Sequence, residues 1–473
     1  MIDYHPEDIA KWAKGLWHGE PPKRITGFSI DTRTISENEV FVAIKDIRDG
    51  HNFIENAKKS GASCSLVERV DDQIGMPQLV VSDSLESFQQ IARSVRDHFK
   101  GKVVGVTGSS GKTSTKDMLS ILLGKGDTLS TKGNLNNHLG IPLTLVQIDS
   151  VQHKWAVIEA GINQVGEMQG HSRMISPNLV VISSIGPSHL EGLGSVENVA
   201  KEKALLFRES KNLEKAIFPK DCMKYECFAE WVNEGKRCTI LKKGEPKQEP
   251  SFNEAFYDFW TETNNTGRSV TIRLWRHRSP VFSISMPPMS DGIASNMALS
   301  ILTAYEMGVT DQEISERLPQ YRPSALRGKR LLGRGRTYYL DCYNANPSSM
   351  LDSLNFFSRE FADQPKMFVL GGMEELGETE RILHAQLGAS QKLGAKDLVL
   401  LIGEKARWMA EGYLDAGAQI DQLIPLQSIE EARPIVDDFE GALLFKGSRA
   451  NQLEQLIPTW AVDQLPEEDL VEC

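Results

Sequence analysis

A chain of 473 residues, 40% hydrophobic and 25% charged with 38 Gly and 21 Pro, has the composition of a soluble globular protein and the length of roughly three domains, which excludes one small core and a disordered or fibrous chain. Lys and Arg total 53 against 64 Asp and Glu, a formal charge of −11 that argues against unspecific binding along a polyanion, so no nucleic-acid partner is expected and any phosphate must be held by a local site. The first residues, MIDYHPEDIA, lack a basic segment followed by an apolar one, and no apolar run approaches the roughly 18 residues needed to cross a bilayer, so a cytoplasmic protein without membrane contact is expected.

The first hundred residues carry short strand-like runs (RITGFSI, EVFVAI, CSLVE, QLVVS) and end in an apolar-periodic helix from about Leu85 to Phe99. They read as a small α/β domain over 1–100. At Lys102 the pattern changes to VVGVTGSSGKTSTKDMLSILL, a strand, a glycine turn and a helix with Met118, Ile121 and Leu122 on one face, which opens a second domain over 101–325. There WAVIEAG, NLVVISSIG, KAIFPK and CTILKK alternate with helical or polar segments, the pattern of βα units around a mostly parallel sheet. Between about 250 and 287, alternating strands around NNTG predict an antiparallel flap. After Pro323, five strand candidates (TYYLDCY, MFVLGG, LVLLIG, QLIPL, ALLFKG) predict a Rossmann-like third domain over 326–473, whose acidic tail PEEDLVEC is expected to fray. The fold class is therefore α/β: a small N-terminal α/β domain, a central P-loop mononucleotide-binding domain with a mostly parallel sheet, and a C-terminal Rossmann-like domain.

Six cysteines are too few and too scattered for a disulfide framework, and Cys222, Cys227 and Cys238 lack the CxxC pairs that fix a tetrahedral zinc site.

The most informative stretch is Thr107-Gly108-Ser109-Ser110-Gly111-Lys112-Thr113, between a strand and a helix. Such a turn aims backbone N–H groups at a phosphate, the helix N-terminus adds positive potential, Lys112 adds a full charge, and the Thr113 hydroxyl is placed to ligate Mg²⁺. The pattern departs from the full P-loop at Val106, which stands where the first glycine would be. A P-loop alone does not choose among kinase, ATPase, ligase and switch. Glu159 ends the strand WAVIE at the carboxyl edge where such sheets place their ligands, and there a carboxylate can hold Mg²⁺ against phosphates. His189, in GPSHLEG, lies at the same edge, whereas a lone histidine is more often structural. Lys203, in VAKEKALLF, reads on local sequence as a helix-surface charge.

Together these pieces resemble the Mur ligase family of peptidoglycan synthesis, in particular its branch that adds D-alanyl-D-alanine to a UDP-N-acetylmuramoyl tripeptide. The matching stretches run along nearly the whole chain, and the combination of GNLNNHLGIP, YNANPSSM and GGMEELGE is specific. The DNPR-type motif of the branch that adds the third amino acid does not occur. The resemblance implies an ATP-dependent amide ligase working through an acyl phosphate, with UDP-N-acetylmuramoyl-tripeptide and D-alanyl-D-alanine as substrates and two Mg²⁺ ions; a monomer is expected, although the sequence itself does not fix the oligomeric state. It implies that Lys112 and the amides of Gly108 to Thr113 hold the β- and γ-phosphates, that Thr113 and Glu159 share one Mg²⁺, and that His189 binds a second. Lys203, fourteen residues after His189 as in that branch, would be the lysine that is carbamylated into a metal-ligating carboxylate.

By the same resemblance Asn296 would contact adenine, Arg327 the phosphates and Asp341 the ribose, with Tyr343 and Asn346 beside it. Asp31, Thr32, Arg33, Asp49, Gly50 and His51 would cradle the UDP end, and Asn134, Asn137 and His138 line the substrate's path. Three positions depart from the family pattern: Gly292 stands for a histidine four residues before the adenine asparagine, Leu340 for the first of two acidic residues, and Gly372 for an aspartate.

Overall fold

The computed structural model describes residues 2–244, 256–263, 269–276, 279–324 and 326–462. Its strands form three sheets, one after another along the chain. The first contains β1 (Leu16–His18), β2 (Gly27–Ser29), β3 (Glu39–Val42), β4 (Cys64–Val67) and β5 (Gln78–Val80) in the order β1-β5-β4-β3-β2, all parallel except β1. β1, three residues with two of them exposed, carries no apolar alternation and was not legible in the sequence.

The helix Ser84–His98 starts one residue before the predicted one because Asp83 caps it, its side chain accepting the Glu86 N–H at 2.7 Å. Phe88, Ile91, Ala92 and Val95 on this helix belong to a buried cluster that continues without a break into Val103, Ala156, Ile158 and Ile182 of the second sheet. Buried Arg96 crosses the same seam, donating from Nε to the Ile175 carbonyl (2.9 Å) and from Nη2 to the Ser176 carbonyl (2.8 Å) and Asn178 Oδ1 (3.0 Å). A fully buried aliphatic or aromatic side chain contributes roughly 1.5–3 kcal/mol. A seam made of several does not act as a hinge.

The second sheet contains β6 (Lys102–Thr107), β7 (Thr128–Ser130), β8 (Trp155–Glu159), β9 (Leu179–Ile182), β10 (Lys215–Pro219), β11 (Cys238–Lys243), β12 (Phe256–Thr263), β13 (Val270–Arg276) and β14 (Ser279–Met286). Their order is β14-β13-β12-β11-β10-β9-β6-β8-β7, parallel from β7 to β12 and antiparallel beyond. The predicted flap is thus the edge of the main sheet: β12 pairs in parallel with β11, and Ile272, Leu274, Phe282 and Ile284 bury one face in the same core as the helix Asp291–Glu306. NNTG and the acidic tail lie outside the described residues. β6 has β8 on one side and β9 on the other, so the strand order reverses there and the carboxyl ends of β6, β8 and β9 open a crevice.

The third sheet contains β15 (Lys329–Gly333), β16 (Arg336–Asp341), β17 (Lys366–Gly371), β18 (Leu398–Ile402), β19 (Leu423–Leu426) and β20 (Ala442–Lys446) in the order β15-β16-β20-β17-β18-β19, parallel except β15. The strand the sequence did not reveal is β15, half-exposed and charged; it forms a hairpin with β16 through Arg334 and Gly335, both at positive φ as a type I′ turn requires. β20 returns between β16 and β17, so Asp341, Gly371 and Lys446 meet at a second switch point. This third unit has its own cores, Leu190 of the second unit packs against one of them, and hydrogen bonds of Asp352 and Asn346 also join the two units. Among the described residues no helix is long and apolar enough to cross a membrane.

Candidate active site

The loop after β6 is held open by a serine lattice from the loop after β9. Ser109 N–H donates to the Ser184 carbonyl (2.9 Å), Ser109 Oγ to the Gly186 carbonyl (2.8 Å), Ser188 Oγ to Ser109 Oγ (3.0 Å), and Ser110 N–H to Ser184 Oγ (3.0 Å). Thr107 Oγ1 anchors the start of the loop on the Ala160 carbonyl at 2.6 Å. Gly111, at φ 81°, begins the helix Lys112–Leu122, and a Cβ there would come within 2.3 Å of Asn296 Nδ2. Glycine is what lets Asn296 lie against the loop. Lys112 Nζ folds back onto the Gly108 carbonyl at 2.9 Å.

Glu159 is buried at the end of β8, and each of its oxygens has one partner. Oε2 accepts the Thr113 hydroxyl at 2.9 Å and Oε1 accepts Asn136 Nδ2 at 2.7 Å. Asn136, in the NLNN stretch, was not singled out in the sequence although Asn134, Asn137 and His138 beside it were. Asn137 Oδ1 accepts the Leu139 and Gly140 N–H groups (3.1 and 2.9 Å) and so starts the next helix.

Lys203 lies on the helix Val196–Arg208 and is wholly buried, not a surface charge, with no hydrogen-bond partner for Nζ. Burial first, then repulsion from Lys112, holds its pKa well below the usual lysine value against the pull of Glu159. Lys112 is also lowered, by burial and by Arg327. Arg327 stacks over the Tyr343 ring with its guanidinium 3.8 Å from the ring centre, and its Nε is buried without a hydrogen bond. Lys112 and Arg327 thus bring two cationic side chains to the wall of the cavity that Glu159 also lines.

The second switch point closes the crevice from the other side. Asn346 Nδ2 donates to the Ser109 carbonyl at 3.0 Å, while its Oδ1 caps the helix Pro347–Glu360 by accepting Ser349 N–H at 2.9 Å. Asp341 is held by Lys446 Nζ at 3.0 Å and by the Ser353 hydroxyl, and Lys446 also donates to the Asn344 carbonyl at 2.9 Å. Lys446 and Ser353 were not anticipated. His189, at φ 51°, pairs through Nδ1 with the carboxylate of Glu375, also unanticipated, in the GGMEELGE stretch.

Around these groups lies one cavity of about 570 Å³. It is lined by Ser109, Ser110, Gly111, Lys112 and Thr113, by Glu159 and His189, by Asn134, Asn137 and His138, by Asn296, and by Arg327, Asp341, Tyr343 and Asn346. Lys203 lies behind the wall, close enough to feel Lys112 and Glu159. The residues expected at the UDP end are not part of this lining. Arg33 is turned back onto Asp31 in a bidentate pair (Nη2 to Oδ2 2.6 Å), with Thr32 between them, and hydrogen bonding by Arg33 lowers the Asp31 pKa. Asp49 takes Arg69 Nη2 and His51 Nδ1, each at 2.7 Å, and its carboxyl is held below the usual range, chiefly by Arg69. His51 Nε2 accepts Glu68 N–H at 2.9 Å, so the buried ring is engaged on both nitrogens, and Gly50 packs so tightly that a Cβ would lie 2.7 Å from Ile44 backbone atoms.

The three departures have physical reasons. A Cβ at Gly292 would come within 2.5 Å of Asp352 Oδ2, a carboxylate that accepts Gly292 N–H at 2.9 Å. A Cβ at Gly372 would come within 2.8 Å of Lys405 Cβ, and Leu340 is fully buried in the core of the third sheet, where a carboxylate would be unpaired.

The fold agrees with comparisons to known proteins. The family model of the Mur ligase middle domain matches residues 106–304, and that of the Mur ligase, glutamate ligase domain matches residues 327–449. The UDP-N-acetylmuramoyl-tripeptide–D-alanyl-D-alanine ligase of Escherichia coli K12 is 32% identical over 90% of this chain and 92% of its own. The chain belongs to the Mur ligase family. The ligase of the same name from Bacillus subtilis 168 is 28% identical over 97% of this chain and 98% of its own. A crystal structure of MurF from Acinetobacter baumannii superposes with a TM-score of 0.83 at 26% identity, covering 96% of this chain and 98% of that one.

Proposed function

We infer that the protein is an ATP-dependent amide ligase that joins D-alanyl-D-alanine to UDP-N-acetylmuramoyl-tripeptide in peptidoglycan precursor synthesis. The observation that carries this reading is the match, over nearly the whole chain, to ligases of that name. A terminal carboxylate is a poor electrophile, so one of its oxygens first attacks the γ-phosphorus of ATP and ADP leaves. The amine of D-alanyl-D-alanine then attacks the acyl carbon, loses a proton and expels inorganic phosphate as the amide forms. The protein's contribution is positioning and charge neutralisation.

In this reading Lys112, Arg327 and the amides of residues 108–113 bind the phosphates, with Asn296 at the base and Asp341, Tyr343 and Asn346 at the ribose side. Asp31, Thr32, Arg33, Asp49, Gly50 and His51 take the UDP end, and Asn134, Asn137 and His138 the peptide. The donor set fits divalent cations: Thr113 Oγ1 and Glu159 Oε2, 2.9 Å apart, form one oxygen pair, and His189 adds an imidazole on the cavity wall. Mg²⁺ bound there would neutralise phosphate charge. The orphaned amine of Lys203 is the group this set leaves unexplained, and carbamylation accounts for it. A neutral lysine attacks CO₂ and loses a proton, and the carbamate becomes an anionic ligand where a cation would be repelled. A cytoplasmic monomer divided at about 100 and 325 completes the proposal.

The test is phosphate release measured with each substrate omitted in turn. Turnover that needs both UDP-tripeptide and D-alanyl-D-alanine supports the reading, and turnover indifferent to the dipeptide ends it.

A further inference from the structure

The contact between His189 and Glu375 joins two sheets, since His189 follows β9 and Glu375 follows β17. Both residues are in the left-handed region, at φ 51° and 61°, which non-glycine residues adopt only when their surroundings enforce it. The surroundings do so. Glu191 N–H donates to the Glu375 carbonyl at 3.1 Å, and Gly377, at φ 59°, lies where a Cβ would touch Glu191 Cα at 3.6 Å. The two loops are built to meet.

A carboxylate only accepts hydrogen bonds, so the proton of a neutral His189 ring must sit on Nδ1, leaving Nε2 with its lone pair. His189 lines the cavity that contains Glu159 and Thr113. We propose that Glu375 is a positioning residue that fixes the tautomer and orientation of His189 for metal ligation, so that the second metal position is completed only when the third domain is docked on the second. The arrangement would keep a chain without its third domain in place from assembling a full phosphoryl-transfer site. The inference rests on the reading of His189 as a metal ligand.

Mn²⁺ binding to the full chain with a non-hydrolysable ATP analogue, followed by electron paramagnetic resonance, separates the two claims. The wild type should take up two ions. Glu375→Ala should weaken the second by roughly 10- to 100-fold while the first ion and the nucleotide keep their affinity, and Glu375→Gln, which keeps an acceptor oxygen without the charge, should fall between. His189→Ala should lose the second ion altogether; if it keeps both, the metal reading itself fails. If His189→Ala loses the ion and Glu375→Ala binds both at wild-type affinity, the inference about Glu375 alone is overturned. Equal weakening of both ions in Glu375→Ala also overturns it, because that marks a general disturbance and not an oriented ligand.

Discussion

Asn346 reaches from the third sheet to the phosphate loop of the second, its Nδ2 donating to the Ser109 carbonyl at 3.0 Å while its Oδ1 caps its own helix. The two roles use different atoms and can be separated. Asn346→Asp keeps the capping oxygen but sets a carboxylate against the Ser109 carbonyl. Stability by urea denaturation should fall by about 0.5–1.5 kcal/mol, the worth of the lost hydrogen bond, with no further loss from the helix start, since Asp caps as well as Asn. The KM for ATP should rise as well, because the phosphate loop loses its tie to the third sheet.

Asn136 orients Glu159 by holding Oε1 at 2.7 Å, which leaves Oε2 to Thr113. Asn136→Ala should therefore raise the Mg²⁺ concentration for half-maximal activity by roughly 10- to 100-fold with little change in the KM for D-alanyl-D-alanine. Titration of activity against Mg²⁺ at saturating substrates checks this.

Lys203 gives a pH signature. Burial holds its pKa well below the ordinary lysine value of 10.5. Between the folded value and 10.5 the unfolded chain binds a proton that the native chain does not, so stability rises with pH across that window and is lowest at its acidic end. Lys203→Met removes the titration, and in CO₂-free buffer its unfolding free energy should vary less with pH there than the wild type's. Lys203→Ala should lower kcat by roughly 10²-fold or more, with partial rescue by acetate.

The parts of the site legible in the sequence were those whose chemistry is written in consecutive residues or at strand ends: the 107–113 loop, Glu159 at the close of β8 and His189 after β9. The support around them was not legible because it is tertiary. Ser184 and Lys446 are ordinary polar residues until the two switch points bring them to the cavity, and so is Glu375 until it meets His189. Lys203 shows the limit most sharply, since its helix reads locally as amphipathic and only the packing shows that the amine is buried without a partner. The α/β pattern was readable from apolar runs alternating with helical or polar segments, whereas β1 and β15, short and half-exposed, gave no such signal, and the strands between 256 and 286 gave their antiparallel character but not their place on the main sheet.

Arg96 fastens the first sheet's helix to the second sheet with three hydrogen bonds inside a continuous apolar seam. Arg96→Met should cost about 2–4 kcal/mol, because it leaves buried carbonyls unpaired. In the wild type the first and second units should exchange amide hydrogens as one cooperative block, with the third opening separately at lower free energy. Native-state hydrogen exchange measures this directly.

Activation of the tripeptide carboxylate by phosphorylation is tested most directly by labelling that carboxylate with ¹⁸O and analysing the products by mass spectrometry. Attack of the carboxylate on the γ-phosphorus, followed by expulsion of phosphate by the dipeptide amine, predicts that each inorganic phosphate carries one ¹⁸O and that ADP carries none. Label found in AMP, or inorganic phosphate free of ¹⁸O while the amide accumulates, would contradict it.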